Sequence, residues 1–244
     1  MKRFIRRTLH RTGWELKRFE PRESHWAQLV RQLVFHEVDL VLDVGANVGQ
    51  FATRLRDSGF KGRIISFEPL AIAHRKLQKQ ARRDRNWIVA PPVAIGDRDG
   101  RITMNVSGNS VSSSALPMLT THLNAEPDSQ YVGREEVDLR QLDTLAEGEI
   151  SVHDRAFLKL DVQGFEYQVL KGASRLLNRL VGIRLEMSLV PLYEGDHLFD
   201  SMLQELTAAG FELWSLVPAF LDHETGRLLQ VDGTFFRPRA TPAL

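Results

Sequence analysis

The segment VLDVGANVGQF, Val41 to Phe51, constrains this chain more than any other: an apolar strand ends in an acid and breaks into glycine-bearing backbone before helical spacing resumes. Leu40 to Val44 read as a buried strand, Gly45 as a turn, and Gly49 as a point where helix or backbone approaches closely. The helix expected from near Asn47 directs free N–H groups and the positive end of its dipole across the turn, which marks a cofactor-binding turn. A dinucleotide site uses G-x-G-x-x-G to seat a pyrophosphate. Here only Gly45 and Gly49 are present, separated by Ala46, Asn47 and Val48, so a diphosphate ligand is disfavoured.

Two further segments repeat the pattern of apolar strand followed by acid. In IISFEP, Ile64 to Pro69, Glu68 follows Gly49 at about the 20-residue interval expected of a ribose-binding carboxylate, which accepts from both ribose hydroxyls. In FLKLDVQGFEYQVLKGA, Phe157 to Ala173, Asp161 closes the strand and Glu166 opens a helix. The D-x-G-x-N-x-G of Asp43, Gly45, Asn47 and Gly49 resembles the first motif of class I S-adenosylmethionine methyltransferases. The third segment is similar to the K-x-D-x-E-G-x-E-x-x-x-L-x-G-A signature of the FkbM methyltransferase family. The resemblance runs from roughly Val38 to Arg237 and includes VDLRQLDTL and LEMSLVPLYEG. It implies a Rossmann-like methyltransferase acting on an oxygen, often a sugar hydroxyl. Gln163 departs from it, standing where the family usually has Glu, so no role that needs a negative charge there carries over.

The expected fold is α/β: a mostly parallel twisted sheet, an antiparallel last strand, and helices on both faces. With 244 residues, 43% of them hydrophobic, one domain with a continuous core is the default, placed at 38–237 behind a helical cap at 1–37 and before a tail at 238–244. The absence of cysteine excludes disulfides, cysteine–zinc sites and a thiol nucleophile. No run of 18 apolar residues and no secretory h-region are present, so a cytoplasmic protein is expected. Residues 1–20 hold seven Lys or Arg against Glu15 and Glu20, interleaved with Phe4, Ile5, Leu9, Trp14, Leu16 and Phe19. Three readings of this stretch are open: a cap helix packed on its own domain, peripheral contact with an anionic inner membrane face where a lipid-linked saccharide would be met, and homo-oligomerisation. A nucleic-acid partner is disfavoured, because the basic cluster is short and Asp161-Val162-Gln163-Gly164 lacks the D/N-P-P-aromatic motif of exocyclic-amine enzymes.

Periodicity predicts a helix over 25–36, strands over 40–44, 64–67 and 87–95, the last bent at Pro91 and Pro92, and a short antiparallel hairpin from 101. The stretch 107–132, which includes SVSSS, shows little periodicity and is expected to be an acceptor-binding or lid loop. Strands follow at 136–139, 157–161, 181–188, 211–217 and 228–237, with helices over 165–180 and 198–209.

In such sheets the ligand sits beyond the carboxyl ends of the strands, where Asp43, Glu68, Asp161 and Glu186 fall. Asp43, Gly45, Ala46, Asn47, Gly49, Glu68 and Pro69 are the expected cofactor contacts, with Ala94 and Ile95 as an apolar face and Asp97 reaching adenine. Methyl transfer to an alcohol also needs a base; Asp161 is the first candidate and Glu186 the second. The positioning roles, holding the amino group of the cofactor or capping the following helix, weigh more for Asp161 than that of base. Lys159 pairs an acid inside the fold or reaches the cleft. His122 and His197 are further candidate bases, and Asp161, Glu186 and Asp232 the candidate ligands should Mg²⁺ bind. The competing functions are a nicotinamide-dependent oxidoreductase and a non-catalytic protein that keeps the cofactor fold.

Overall fold

The structure, a computed structural model, describes Thr12 and residues 24–146 and 150–239. Apart from Thr12, the basic segment 1–20 lies outside the described residues, as does the tail from 240. Helix α1, His25–Phe35, starts at Ser24, whose hydroxyl accepts from the Ala27 N–H, and buries Leu29 and Leu33. Strand and helix then alternate: β1 Leu40–Val44, α2 Gln50–Asp57, β2 Arg63–Phe67, α3 Ala71–Ala81 and β3 Trp87–Val89. A second run follows: β4 Ala94–Ile95, β5 Gly100–Ser107, α4 Thr120–Ala125, a 3₁₀ turn Pro127–Ser129, β6 Tyr131–Arg140 and α5 Leu142–Ala146. The chain finishes with β7 Ala156–Leu160, α6 Glu166–Lys171, α7 Ser174–Leu177, β8 Gly182–Ser188, α8 Phe199–Ala208, β9 Glu212–Leu221 and β10 Leu228–Phe236.

Seven strands form one sheet in the order β3-β2-β1-β7-β8-β10-β9. Strands β1, β2, β3, β7 and β8 pair in parallel, and β10 runs antiparallel to both its neighbours, as expected of the last strand. The central strands β1 and β7 are buried at every position, which requires apolar cover on both faces. One face packs α1, α2 and α3 through Leu33, Phe51, Leu55 and Leu77. The other packs the helices after β7 through Val169, Leu176, Met202 and Leu206. A small sheet, β4-β6-β5, stands beside the cofactor edge, and β5 and β6 form the antiparallel pair expected outside the main sheet. Glu135 of β6 ties this sheet to α3 by accepting from the Ala71 N–H at 3.0 Å.

Several local expectations give way to tertiary geometry. The predicted strand 87–95 divides at Pro91 and Pro92 into β3 and β4, which belong to different sheets, because neither proline can donate to a ladder. The helix expected from Asn47 begins only at Gln50, since Asn47 (φ 47°) and Gly49 (φ 93°) both take left-handed backbone. The predicted helix 165–180 breaks at Gly172, where a Cβ would lie 1.8 Å from the Gly96 carbonyl oxygen, a close approach only glycine permits. The stretch 107–132 is not structureless: it carries the six-residue α4 and the 3₁₀ turn, and β6 begins within it.

A buried polar chain crosses four adjacent strands of the parallel sheet. Trp87 Nε1 on β3 donates to Ser66 Oγ on β2 at 3.0 Å, and that hydroxyl donates to Asp43 Oδ2 on β1 at 3.1 Å. Asp43 Oδ1 then meets Lys159 Nζ on β7 at 3.0 Å. Ser66 and Lys159 are the register partners of Asp43, so the three side chains share one face. Burial alone would discharge Lys159, but the Asp43 carboxylate, and after it Asp161, reverse this and hold the ammonium above its ordinary value. Removing one partner of such a pair strands the other charge. Lys159→Met should therefore cost about 3–5 kcal/mol in urea unfolding. Arg101→Ala, which breaks an exposed pair with Glu136, should cost less than about 1 kcal/mol. Equal losses in the two variants would show that the buried pair does not hold the sheet.

Candidate active site

The loops after β1, β2 and β7 meet at the carboxyl edge. Gly45 N and Ala46 N both donate to the Phe67 carbonyl, at 3.1 and 3.0 Å, and Asp161 N donates to the Val44 carbonyl at 3.1 Å. A Cβ on Gly45, whose φ is 74°, would sit 1.8 Å from the Asp161 carbonyl oxygen. The turn must therefore be glycine for the β1 and β7 loops to cross. Lys159 braces the crossing from beneath, donating to the Gly45 carbonyl at 3.0 Å.

A cavity of about 260 Å³ opens beyond these tips. Gly45, Asn47, Glu68 and Pro69 line it from the first two loops, and Val93, Ala94 and Ile95 from β4 and its approach. Asp161, Gln163 and Phe165 enter after β7, Glu186 from β8, Phe220 from β9 and Gln230 from β10. The segment 110–113 covers one side, pinned by Asn47 Nδ2 donating to the Ser110 carbonyl at 3.1 Å.

Glu68 is held by two backbone donors, Asn47 N to Oε2 at 2.8 Å and Leu70 N to Oε1 at 2.9 Å. Burial pushes its pKa up to about 7, against the opposing pull of those N–H groups and of Lys159. Glu166 is likewise pushed up to about 7 by burial, although its Oε1 accepts from the Val162 N–H at 2.9 Å. Glu186 is raised by burial and then by the Asp161, Asp232 and Glu166 charges around it. His122 is buried against Tyr193 and Phe220, with ring centroids 5.2 and 5.0 Å apart, and burial lowers its pKa to about 4, so it is neutral near pH 7.

The expected site residues separate into those that line the cavity and those that support it. Gly45, Asn47, Glu68, Pro69, Ala94, Ile95, Asp161 and Glu186 line it. Asp43 is fully buried beneath the floor in the polar chain. Ala46 packs in the α1–α3 core, and Gly49 makes room for Trp87 and Leu77. Asp97 faces away, paired with exposed Arg98 at 3.0 Å, because the Gly96 turn leads the chain toward Arg140. His122 lines the cavity, whereas His197 stacks on Tyr167 with centroids 3.7 Å apart. Asp232 lies opposite Glu186 in the β8–β10 register and is held by Arg184 at 2.8 Å. The Gln163 amide nitrogen stands between Asp161 and Glu186, and among the described residues no group of three or more His, Cys, Asp or Glu is arranged to hold a metal ion.

Sequence reading missed Phe165, Phe220, Gln230 and Tyr193, which reach the site or its wall from elements distant in the chain. The positions of Phe165 and Tyr193, inside segments that carry the family resemblance, signalled involvement; those of Phe220 and Gln230 did not.

The parallel sheet with an antiparallel strand inserted at β10, the glycine crossing at β1 and the acid after β2 define a Rossmann-like methyltransferase. The sequence matches the Methyltransferase FkbM domain over residues 43–213, well over half of the chain. The protein belongs to the FkbM methyltransferase family and is an S-adenosylmethionine-dependent methyltransferase, which sets aside the nicotinamide oxidoreductase reading. It is 29% identical over 186 residues to 2-O-methyltransferase NoeI of Sinorhizobium fredii (strain NBRC 101917 / NGR234), covering 73% of this chain and 74% of that protein. Among solved structures it resembles magnesium protoporphyrin IX methyltransferase from Synechocystis PCC 6803 with bound SAM, at 12% identity and TM-score 0.48, covering 97% of each chain. A putative O-methyltransferase from Klebsiella pneumoniae matches at 10% identity and TM-score 0.48, over 96% of this chain and 88% of that one.

Glu68 generates a pH prediction. As a carboxylate it would accept from ribose hydroxyls in the expected cofactor site; below its pKa of about 7 it is protonated and loses acceptor capacity. S-Adenosylhomocysteine affinity measured by isothermal titration should fall roughly tenfold from pH 8 to pH 6, following the fraction ionised. Glu68→Gln should bind more weakly at pH 8 and show no such slope; a wild-type slope retained in the variant would remove Glu68 from the ribose site.

Proposed function

We propose that the protein methylates a hydroxyl group of a saccharide, glycolipid or glycosylated natural product. The observation that carries this reading is Asp161: its side chain, one third exposed, stands at the cavity wall directly after β7 with Gln163 and Glu186 beside it. A carboxylate so placed can take the proton of an alcohol while neighbouring donors fix its direction. Asp161 would take the hydroxyl proton, while S-adenosylmethionine, when bound, would supply an activated methyl whose S–CH₃ electron pair stays on sulfur as the O–CH₃ bond forms. Glu186 is second in line for that role, since burial favours its protonated form. Gly45, Asn47, Glu68 and Pro69 hold the cofactor, with Ala94 and Ile95 as the apolar wall beside them. Asp43, Ala46 and Gly49 act from beneath by shaping the turn.

Neutral His122, the Gln230 amide and the Phe220 ring offer an uncharged hydroxyl-bearing acceptor hydrogen bonds and a flat apolar surface. The printed function of the Sinorhizobium relative, 2-O-methylation, favours an oxygen acceptor. No helix among the described residues is long and apolar enough to cross a membrane, so a lipid-linked acceptor would be met at the membrane face, with residues 1–20 as the candidate contact.

Labelled cofactor incubated with glycan and glycolipid extracts should yield a methylated sugar whose position mass spectrometry assigns. Label found only on protein, nucleic acid or non-hydroxyl atoms would overturn the reading. Asp161→Asn should lower kcat by roughly 10²–10⁴ on that acceptor. A loss confined to cofactor affinity would instead assign Asp161 to the amino group of the cofactor.

A further inference from the structure

Gln163 holds left-handed backbone, φ 56°, a conformation unfavourable for a non-glycine residue. Contacts from four directions hold it there. Nε2 donates to Asp161 Oδ1 at 2.8 Å and to Glu186 Oε2 at 2.9 Å. Oε1 accepts from the Tyr193 hydroxyl at 2.7 Å, and the backbone carbonyl accepts from Ser114 Oγ at 2.6 Å. Tyr193 is fully buried and packs on Gly164, where a Cβ would lie 2.9 Å from its ring. The amide orientation follows from its partners: the NH₂ faces an accepting oxygen on each of the two carboxyl groups, and the carbonyl accepts from the phenol O–H.

Two carboxylates within reach of one nitrogen repel, and the usual remedies are a cation or a shared proton. We propose that the Gln163 amide, locked by Tyr193, is the positioning group of the acceptor site, taking the place of a cation between Asp161 and Glu186 and fixing both carboxyl groups at the cavity wall. Its two N–H donors satisfy one oxygen on each acid and leave the second Asp161 oxygen, 3.6 Å from Lys159, for the acceptor. The other charges facing this pair are Asp232 with its partner Arg184 across β8 and β10, Glu166 on α6, and Lys159 on β7. Naming Asp161 as the group being aimed rests on the methyl-transfer reading, but the bridge itself is independent of turnover.

The test therefore uses no acceptor. Infrared pH titration follows the protonated-carboxyl band, assigned by its loss in Glu186→Gln. In Gln163→Leu the midpoint should rise by at least one pH unit, a tenfold change in proton affinity, because both donors are gone. Tyr193→Phe should shift it in the same direction by less. Unchanged midpoints in both variants, with circular dichroism of the wild type, would overturn the bridge. Mn²⁺ titration by paramagnetic resonance gives a second reading that survives a folding failure of Gln163→Leu. Wild type should bind no Mn²⁺ at this site, and Gln163→Glu, which adds a third carboxylate, should bind one equivalent. Wild-type binding abolished by Asp161→Asn, or no binding by Gln163→Glu, would count against the amide as the cation's substitute. A failed product assay, by contrast, would remove the acceptor reading and leave these results standing.

Discussion

The architecture rests on one buried ion pair and the hydrogen-bonded chain that satisfies it. Asp43 and Lys159 are placed opposite each other on the two central strands, in an interior where neither charge is tolerated alone. Ser66 and Trp87 extend the pairing outward, so strands β3, β2, β1 and β7 are locked by side chains as well as by backbone. A slip of one residue would turn Asp43 and Lys159 to opposite faces, so the pair fixes register where uniformly apolar strands specify it weakly. Because Lys159 also donates to the Gly45 carbonyl, this register is transmitted to the turn that shapes the cavity. Asp43 influences the cofactor site from below, by setting where the loop leaves the sheet.

Much of this was legible in the sequence, and the reason differs by element. Strands β1, β2, β7 and β8 are mostly apolar runs between turn signals, which makes them readable as buried strands. Glu68 and Asp161 are local consequences of strand ends, so spacing alone places them at the edge. Asp43 reads the same way, but it is one residue inside the strand, and alternation turns it toward Lys159. That distinction depends on a partner over a hundred residues away and has no local signal.

The other misreadings share this cause. Segment 107–132 lacks periodicity because α4 is too short to display it, and its position is set by contacts with distant chain: Leu119 N donates to the Leu192 carbonyl, and Ser114 Oγ to the Gln163 carbonyl. His122 is buried only because Tyr193 and Phe220 close over it. Gln163 stood out in the sequence as a departure from the family pattern, yet its meaning lay in three partners, two of which, Glu186 and Tyr193, are 23 and 30 residues away. Pattern gives the strand ends, whereas the chemistry between them is decided by side chains that meet only after the sheet closes.

The same closure sets the electrostatics of the cleft. Glu68, Glu166 and Glu186 are all pushed up by burial, and the last by its acidic neighbours as well, so the site holds its carboxyl groups at a cost that a nearby positive charge reduces. The methyl donor carries such a charge on sulfur, and the demethylated product does not. A cleft of partly suppressed carboxylates is therefore better matched to the sulfonium than to the thioether, and its preference weakens when the methyl group leaves. Lys159 lies too far inside the floor to supply that charge itself: its ammonium is committed to Asp43 and to the Gly45 carbonyl. The fold thus commits buried Lys159 to register and buried Arg184 to Asp232, and leaves the cavity wall acidic, which suits a cationic donor.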